Sequence, residues 1–121
     1  MSKSSEFKVE QTHTVFYIRL PNGSKAYLSY DINGDVMRLI ETYTPPEYRG
    51  MGLARMMVER ATQVAEERNL KIEPICSYSV YYFLKNPEKR RLLADKYRSM
   101  NDTELETYYK QRLESEKSKS T

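Results

Sequence analysis

The first half of the chain alternates between apolar and polar positions with the period of β-strands. Residues 14–20, 25–30 and 36–44 are rich in β-branched and aromatic side chains or place apolar side chains at every second position. Asn-Gly pairs at positions 22–23 and 33–34 separate these runs, and Asn-Gly is typical of tight hairpin turns. The pattern predicts an antiparallel meander of three strands.

The periodicity changes to that of a helix after Pro45-Pro46, which cannot donate to a strand ladder. Apolar residues recur at spacings of three and four over residues 52–68, and Asn69 suits a left-handed helix stop. Residues 71–75 are short and apolar enough for a buried strand. A strand, a helix and a strand in this order favour a crossover connection, and so a mixed α+β fold with a parallel strand pair.

The last third of the chain reads as helical. Ser77 or Ser79 can begin a short helix that ends near Leu84, and Asn86-Pro87 is a strong start for a second one. Asn101, followed by Glu104 three positions later, begins a last helix. We therefore expect a flexible N-terminal arm over residues 1–11, one domain over 12–100, a C-terminal helix over 101–114 and a disordered tail over 115–121.

Composition restricts the class of protein. The chain has 121 residues, a formal net charge of +3 and one cysteine, which suits a single domain without an intramolecular disulfide. No run approaches the roughly 18 apolar residues of a membrane span, and the first residues lack the apolar segment of a secretory signal. His13 is the single histidine, so no metal site is expected. We expect a cytoplasmic protein without a membrane partner.

The segment Arg49-Gly50-Met51-Gly52-Leu53-Ala54 carries the most specific chemistry of the sequence. It lies between a predicted strand and a predicted amphipathic helix. Glycines leave the backbone amides open to close approach, and the N-terminus of a helix attracts negative charge. The segment therefore predicts an anion site, above all for phosphate, although glycines before a helix can also form a plain turn.

This segment resembles the phosphate loop of the GCN5-related N-acetyltransferase superfamily, which follows the pattern Gln/Arg-x-x-Gly-x-Gly/Ala. Arg49, Gly52 and Ala54 match it. The chain is most similar to the small, stand-alone branch of that superfamily. The motifs that carry this likeness are Thr42-Tyr43-Thr44-Pro45-Pro46-Glu47-Tyr48-Arg49-Gly50-Met51-Gly52, Pro74-Ile75-Cys76, Tyr78, Tyr82 and Asn86-Pro87-Glu88.

The resemblance implies a fold, a cosubstrate and the residues that bind it. The cosubstrate is acetyl-coenzyme A, and its acetyl group goes to a primary amine of unknown identity. The pyrophosphate would lie on the loop that runs from Arg49 through Gly50, Met51, Gly52 and Leu53 to Ala54. Backbone amides of Thr42, Tyr43 and Thr44 would hold the thioester, beside a strand that splays away near Pro74. Asn86 is a further candidate for cofactor contact.

The catalytic roles that the resemblance implies are less specific. Tyr82 matches the position of a general acid for the departing thiol, with Tyr78 and Tyr81 as competitors. Cys76 would lie near the thioester, either as a nucleophile or as a packed pocket residue. Glu41 is a tentative general base. The small branch usually has histidine at the positions of Glu41 and Asn86, so this chain would work without those imidazoles.

Other functions stay open at this point. The chain could bind coenzyme A without catalysis, or serve as a protein-interaction module through its tyrosine-rich C-terminal helix. Tyr108, Tyr109 and Leu113 would suit a helix–helix contact in a homodimer. A small basic protein could also bind nucleic acid, and that interaction would weaken steeply with salt. We regard a nucleic-acid partner as the least supported of these.

Overall fold

The computed structural model describes residues 7–120. It contains five strands, four α-helices and two short 3₁₀ segments. The strands are β1 (Val9–Gln11), β2 (Val15–Arg19), β3 (Lys25–Asn33), β4 (Val36–Tyr43) and β5 (Lys71–Pro74). The helices are α1 (Leu53–Glu67), α2 (Ser77–Lys85), α3 (Asp95–Arg98) and α4 (Asp102–Ser120), and the 3₁₀ segments are Pro46–Tyr48 and Pro87–Leu92.

The strands form one sheet in the order β1-β2-β3-β4-β5. The first three pairs are antiparallel, whereas β4 and β5 are parallel and are connected by α1. The predicted meander, the crossover helix and the mixed α+β class are therefore confirmed. Asn69 has a φ of 57°, as expected of a left-handed stop after α1.

The core lies between the sheet and the helices, and the strand alternation explains it. Phe16 and Ile18 of β2 are fully buried, and so are Ala26 and Leu28 of β3, directly opposite them. On the helix side, Met57 is likewise fully buried. Apolar burial of this kind stabilises the fold by about 25 cal/mol per Å² of surface removed from water.

Two predictions for the N-terminal and central regions were wrong. Residues 9–11 are not a flexible arm but the edge strand β1, which pairs with β2; residues 1–6 lie outside the described residues. The helix predicted from Asn86-Pro87 is a 3₁₀ segment that ends at Leu92, because Leu93 becomes extended and bridges Ile72 of β5. The Ala94 amide also donates to the Ile72 carbonyl at 2.9 Å, so pairing with the sheet edge overrides helix propensity.

The predicted disordered tail was also wrong. Residues 115–120 continue α4, while residue 121 lies outside the described residues. The start of this helix is as predicted: Asn101 and Glu104 form a reciprocal capping box with bonds of 2.9 and 2.8 Å. Tyr108 and Tyr109, expected in a homodimer contact, pack against this chain's own core. Within residues 7–120, no helix is long and apolar enough to cross a membrane.

The docking of α4 yields a first prediction. Leu105 of α4 is fully buried, so Leu105→Ala leaves a cavity and should lower the free energy of unfolding by about 2–5 kcal/mol. Urea denaturation measures this change. Gln111→Ala on the exposed side of α4 is the matched control, with an expected change within about 0.5 kcal/mol. Equal, small effects of both changes would show that α4 is not docked on the core.

Candidate active site

A cleft opens where β5 separates from β4. The last residue pair of their parallel ladder is Leu39 with Pro74, and the Pro74 carbonyl points away from β4, towards Tyr108. The missing N–H of proline lies on that outer side, where it interrupts no bond to β4. The amides of Ile75 and Cys76 both donate to the Leu39 carbonyl, at 2.9 and 3.0 Å. Residues 40–43 of β4 have no partner in β5, so one edge of this stretch faces the cleft.

A β-bulge in β4 decides which side chain faces the core side of this opening. Tyr30 pairs with Leu39 and Ser29 pairs with Glu41, so Ile40 is the extra residue. After the bulge, Thr42 lies opposite the buried Leu28 and so shares the inner face. The Thr42 hydroxyl lies 3.0 Å from the Cys76 sulfur, which joins the two separating strands at the base of the cleft.

The glycine loop forms the outer end of this cleft. Gly50 and Gly52 have φ angles of 82° and 80°, in the left-handed region that favours glycine. A Cβ added at either position would meet no protein atom within 4 Å, so the loop surface is open. The first helical hydrogen bond of α1 is donated by the Met56 amide to the Gly52 carbonyl, at 3.0 Å. The amides that precede Met56 at the start of the helix therefore have no intrahelical hydrogen-bond acceptor.

The side chains of the glycine loop differ in what they contact. Arg49 donates from Nε to the Thr44 carbonyl at 3.0 Å, which holds the loop against the end of β4. Leu53 points into the core, so only its backbone faces the cleft, whereas Met51 is 40% exposed. The cleft has a volume of about 490 Å³ and is lined by Thr42, Tyr43, Thr44, Tyr48, Arg49, Gly50, Gly52, Leu53, Ala54, Arg55 and Tyr78. Tyr48 and Arg55 were not among the predicted site residues.

A second cleft adjoins the first. Its volume is about 480 Å³, and it shares Thr42 and Tyr78 with the first cleft. The remaining lining residues are Ile40, Glu41, Cys76, Ser77, Arg112 and Glu116. Predicted residues Glu41 and Cys76 thus lie in one cleft, together with side chains of α4 that were predicted to belong to a separate helix and a disordered tail.

Cys76 is packed rather than activated. Its side chain is 3% exposed, and burial raises the pKa of the thiol. Hydrogen bonding to Ser79 and Thr42 acts in the opposite direction without outweighing burial. The negative charge of Glu116 raises the pKa further, so the thiol of Cys76 is protonated at neutral pH.

The three tyrosines of α2 differ in their access to the clefts. Tyr82 is 2% exposed, lines neither cleft, and packs edge-on against Phe83 at 5.3 Å. Burial raises the pKa of Tyr82 to about 12, and its hydroxyl has no hydrogen-bond partner among the described residues. Tyr78 lines both clefts and is half-buried, and burial raises its pKa. Tyr81 is on the surface, and its ring packs at a tilt against that of Tyr78, with the ring centroids 5.9 Å apart.

Two other predicted residues occupy different surroundings. Glu41 is exposed at the second cleft, and it contributes after burial to the raised pKa of Tyr27. Asn86 lines neither cleft. Its side chain donates to the Tyr82 carbonyl at 2.8 Å, at the C-terminal end of α2.

Side chains of α4 hold the segment that carries Cys76. Tyr108 donates to the Pro74 carbonyl at 2.7 Å, and Arg112 donates from Nε to the Ile75 carbonyl at 2.6 Å. Glu116 accepts from the Ser77 amide at 2.8 Å and from the Ser77 hydroxyl at 2.6 Å. We call Tyr108, Arg112 and Glu116 the α4 latch. Their spacing of four places them on one helix face, a signal that was present in the sequence.

The glycine loop and the edge of β4 offer backbone groups to an anionic, organic ligand. Within residues 7–120, no group of three or more His, Cys, Asp or Glu side chains could hold a metal ion. Open loop amides at a helix N-terminus bind phosphate groups. The open edge of β4 can offer hydrogen bonds to an extended, amide-containing ligand.

Comparison with known proteins agrees with this arrangement. A family model described as GCN5-related N-acetyl-transferase matches residues 15–92, which is more than half of the chain. Among solved structures, the chain is similar to a GCN5-like protein from Staphylococcus aureus whose structure was determined by NMR. The TM-score is 0.56 and the sequence identity 21%, with 72% of this chain and 87% of that chain covered. The structural likeness concerns the fold, while the family match shows that the chain belongs to the GCN5-related N-acetyltransferase family of transferase enzymes.

Proposed function

We propose that this protein binds acetyl-coenzyme A and transfers its acetyl group to a primary amine by direct attack. One observation carries the proposal. The glycine loop, the unpaired edge of β4 and the junction of Thr42 and Cys76 line two adjoining clefts, with Tyr78 lining both. Enzymes of the family use acetyl-coenzyme A as cosubstrate, and it supplies an acetyl group on a thioester that an amine can attack.

The loop residues suit the charged part of that cosubstrate. Amides from Gly50 to Ala54 surround an open surface at the N-terminus of α1, where the helix dipole favours phosphate. Arg55 lines the same cleft and adds positive charge there, although it also lies 3.7 Å from Glu59. The open edge of β4 at residues 40–43 would hold the amide-containing arm and the thioester carbonyl.

Tyr78 is the group that the geometry favours as general acid. It borders both clefts, whereas the Tyr82 hydroxyl is enclosed in the core beside Phe83. Because burial raises the pKa of Tyr78 above its ordinary 10.0, the phenol keeps its proton at neutral pH and can donate it to a departing thiolate. Tyr82 then has a packing role.

The buried, protonated thiol of Cys76 supports direct attack. A nucleophilic cysteine must be a thiolate, and burial keeps this thiol protonated. Its contact with Thr42 instead fixes the base of the cleft. Glu41, at the rim of the second cleft, is the group placed to receive the proton of an incoming amine.

The phosphate loop yields the second prediction. Gly52→Val places a β-branched side chain in a left-handed conformation and a bulky group where phosphate would lie, so acetyl-coenzyme A affinity should fall by about tenfold or more. Calorimetric titration measures it. Gly34→Val is the control, since Gly34 also has a positive φ and open space around it but lies at the other end of β4. Unchanged affinity in Gly52→Val would remove the loop from the cosubstrate site.

The general acid yields the third prediction. Tyr78→Phe removes the proton donor and should lower the rate of acetyl transfer by about 10²-fold, while acetyl-coenzyme A affinity stays near that of the wild type. Tyr81→Phe, on the adjacent surface ring, should keep the wild-type rate. Since the raised pKa keeps Tyr78 protonated, this group should cause no loss of rate between about pH 7 and about pH 9. A larger loss in Tyr82→Phe than in Tyr78→Phe would reverse the assignment.

The buried thiol yields the fourth prediction. Cys76→Ala should keep the transfer rate within about tenfold of the wild type, because a protonated thiol takes no covalent part. Intact-protein mass spectrometry during turnover should detect no acetylated enzyme. An acetylated Cys76, together with an inactive Cys76→Ala variant that still binds acetyl-coenzyme A, would establish a two-step route.

A further inference from the structure

The second cleft contains a positive and a negative side chain that do not neutralise each other. Arg112 and Glu41 both line it, and within residues 7–120 neither forms an ion pair. Arg112 is half-buried, where an unpaired charge is less well solvated than on the open surface. Such an arrangement suits a ligand that brings both complementary charges.

Arg112 keeps most of its hydrogen-bonding capacity. A guanidinium carries five N–H groups, and among the described residues only Nε of Arg112 is engaged, with the Ile75 carbonyl at 2.6 Å. That bond fixes the side chain at the wall of the cleft. The two terminal nitrogens are then available to bind a carboxylate, which matches the planar geometry of guanidinium.

No ion pair of the described residues joins Glu116 to Arg112, although Glu116 stands four residues later on the same helix and lines the same cleft. Both of its carboxylate oxygens are engaged by Ser77, through the amide at 2.8 Å and the hydroxyl at 2.6 Å. The negative charge of Glu116 is thus committed to the N-terminus of α2, where the helix dipole favours it. A ligand in this cleft would therefore meet the Arg112 guanidinium and the exposed Glu41 carboxylate, while the Glu116 carboxylate is held at the cleft wall by Ser77.

We propose that the second cleft is the acceptor site, and that the acceptor is an amino acid or ω-amino acid whose carboxylate binds Arg112 and whose amine lies towards Glu41. The inference rests on the proposed function, because it places the acceptor beside the thioester. A plain amine would leave Arg112 without a partner, and a plain carboxylic acid would offer nothing to acetylate.

The proton transfers of the acetylation step involve only Tyr78, Glu41, the acceptor amine, the leaving sulfur and solvent. The acceptor first loses a proton from its ammonium to solvent, and its nitrogen then bonds to the acetyl carbon. The carbon–sulfur bond breaks with its electron pair on sulfur, which takes the Tyr78 proton. The second nitrogen proton goes to Glu41. Water exchange then returns Tyr78 and Glu41 to their starting states.

The test uses a series of ω-amino acids with two to six carbons and n-alkylamines of matching length. Acetylated products and released thiol are measured with the full-length protein, and kcat/KM is compared within each pair. We expect the best ω-amino acid to exceed its matched alkylamine by about tenfold or more, as for a charge-assisted pair. Arg112→Gln should remove that preference through KM, because it should lower kcat/KM for ω-amino acids by about tenfold more than it lowers kcat/KM for alkylamines, and Arg112→Lys should restore part of the preference.

A control separates charge recognition from loss of the α4 latch. Tyr108→Phe removes another α4 hydrogen bond to the same segment, that to the Pro74 carbonyl, without changing charge. It should preserve the preference for ω-amino acids. Equal loss for both acceptor classes in Arg112→Gln, matched by Tyr108→Phe, would show that Arg112 is only structural and would overturn the proposal.

Binding is read separately from turnover. Heteronuclear NMR titration of the free protein and its coenzyme A complex with the same ω-amino acids should shift the Ser77 and Tyr78 amides in the wild type, but not in Arg112→Gln. Calorimetry with acetyl-coenzyme A tests the cosubstrate site by itself. Acetyl-coenzyme A binding without any ω-amino acid shift or preference overturns the acceptor assignment alone. Absence of acetyl-coenzyme A binding overturns the proposed function, and the titration of the free protein still tests the cleft.

Discussion

A single carbonyl, that of Leu39, accepts hydrogen bonds from the amides of both Ile75 and Cys76. In a continuing parallel ladder these two amides would not converge on one acceptor. The Ile75 amide continues the ladder that the Lys71 amide begins at the Asp35 carbonyl, and the ladder ends at Cys76, where the chain turns into α2. The unpaired edge of β4, the depth of Cys76 and the start of α2 all depend on this one break.

The break leaves backbone groups that must find other partners, and the α4 latch supplies them. Buried or half-buried carbonyls without a hydrogen bond destabilise a fold, and so do orphan amides at a helix start. The Pro74 and Ile75 carbonyls and the Ser77 amide are all bonded by α4 side chains. Helix α4 thus supplies hydrogen-bond partners that a neighbouring strand would otherwise supply. The edge of β4 at residues 40–43 stays open. The family match ends at residue 92, before α4 begins, yet α4 forms part of the second cleft.

Residue patterns predicted the meander, α1 and the glycine loop because each depends on local signals: alternation, helical spacing and glycine at positive φ. They did not predict the bulge at Ile40, since no residue type there distinguishes it from an ordinary strand position. For that reason the sequence did not predict that the Thr42 side chain lies on the inner face of the sheet. Tyr82 was named as general acid because it matches a position of the family. The sequence did not predict that Tyr82 is buried while Tyr78 lines both clefts, because a helix with several aromatic residues does not reveal its buried face. The end of α4 was taken for disorder because polar contacts, not apolar burial, hold it in place.

The charges of the second cleft depend on which partner Glu116 binds, Arg112 on its own helix or Ser77 at the start of α2. Arg112 and Glu116 are separated by four residues, a spacing that commonly gives an ion pair on a helix, but the basic residue comes first, which is the weaker orientation. The N-terminus of α2 offers Glu116 an amide, a hydroxyl and a favourable dipole instead. That choice separates the two charges and leaves a guanidinium held at one wall by a backbone carbonyl. The same contact that begins α2 therefore holds the Glu116 carboxylate at Ser77 and leaves the terminal nitrogens of Arg112 without a carboxylate partner among the described residues.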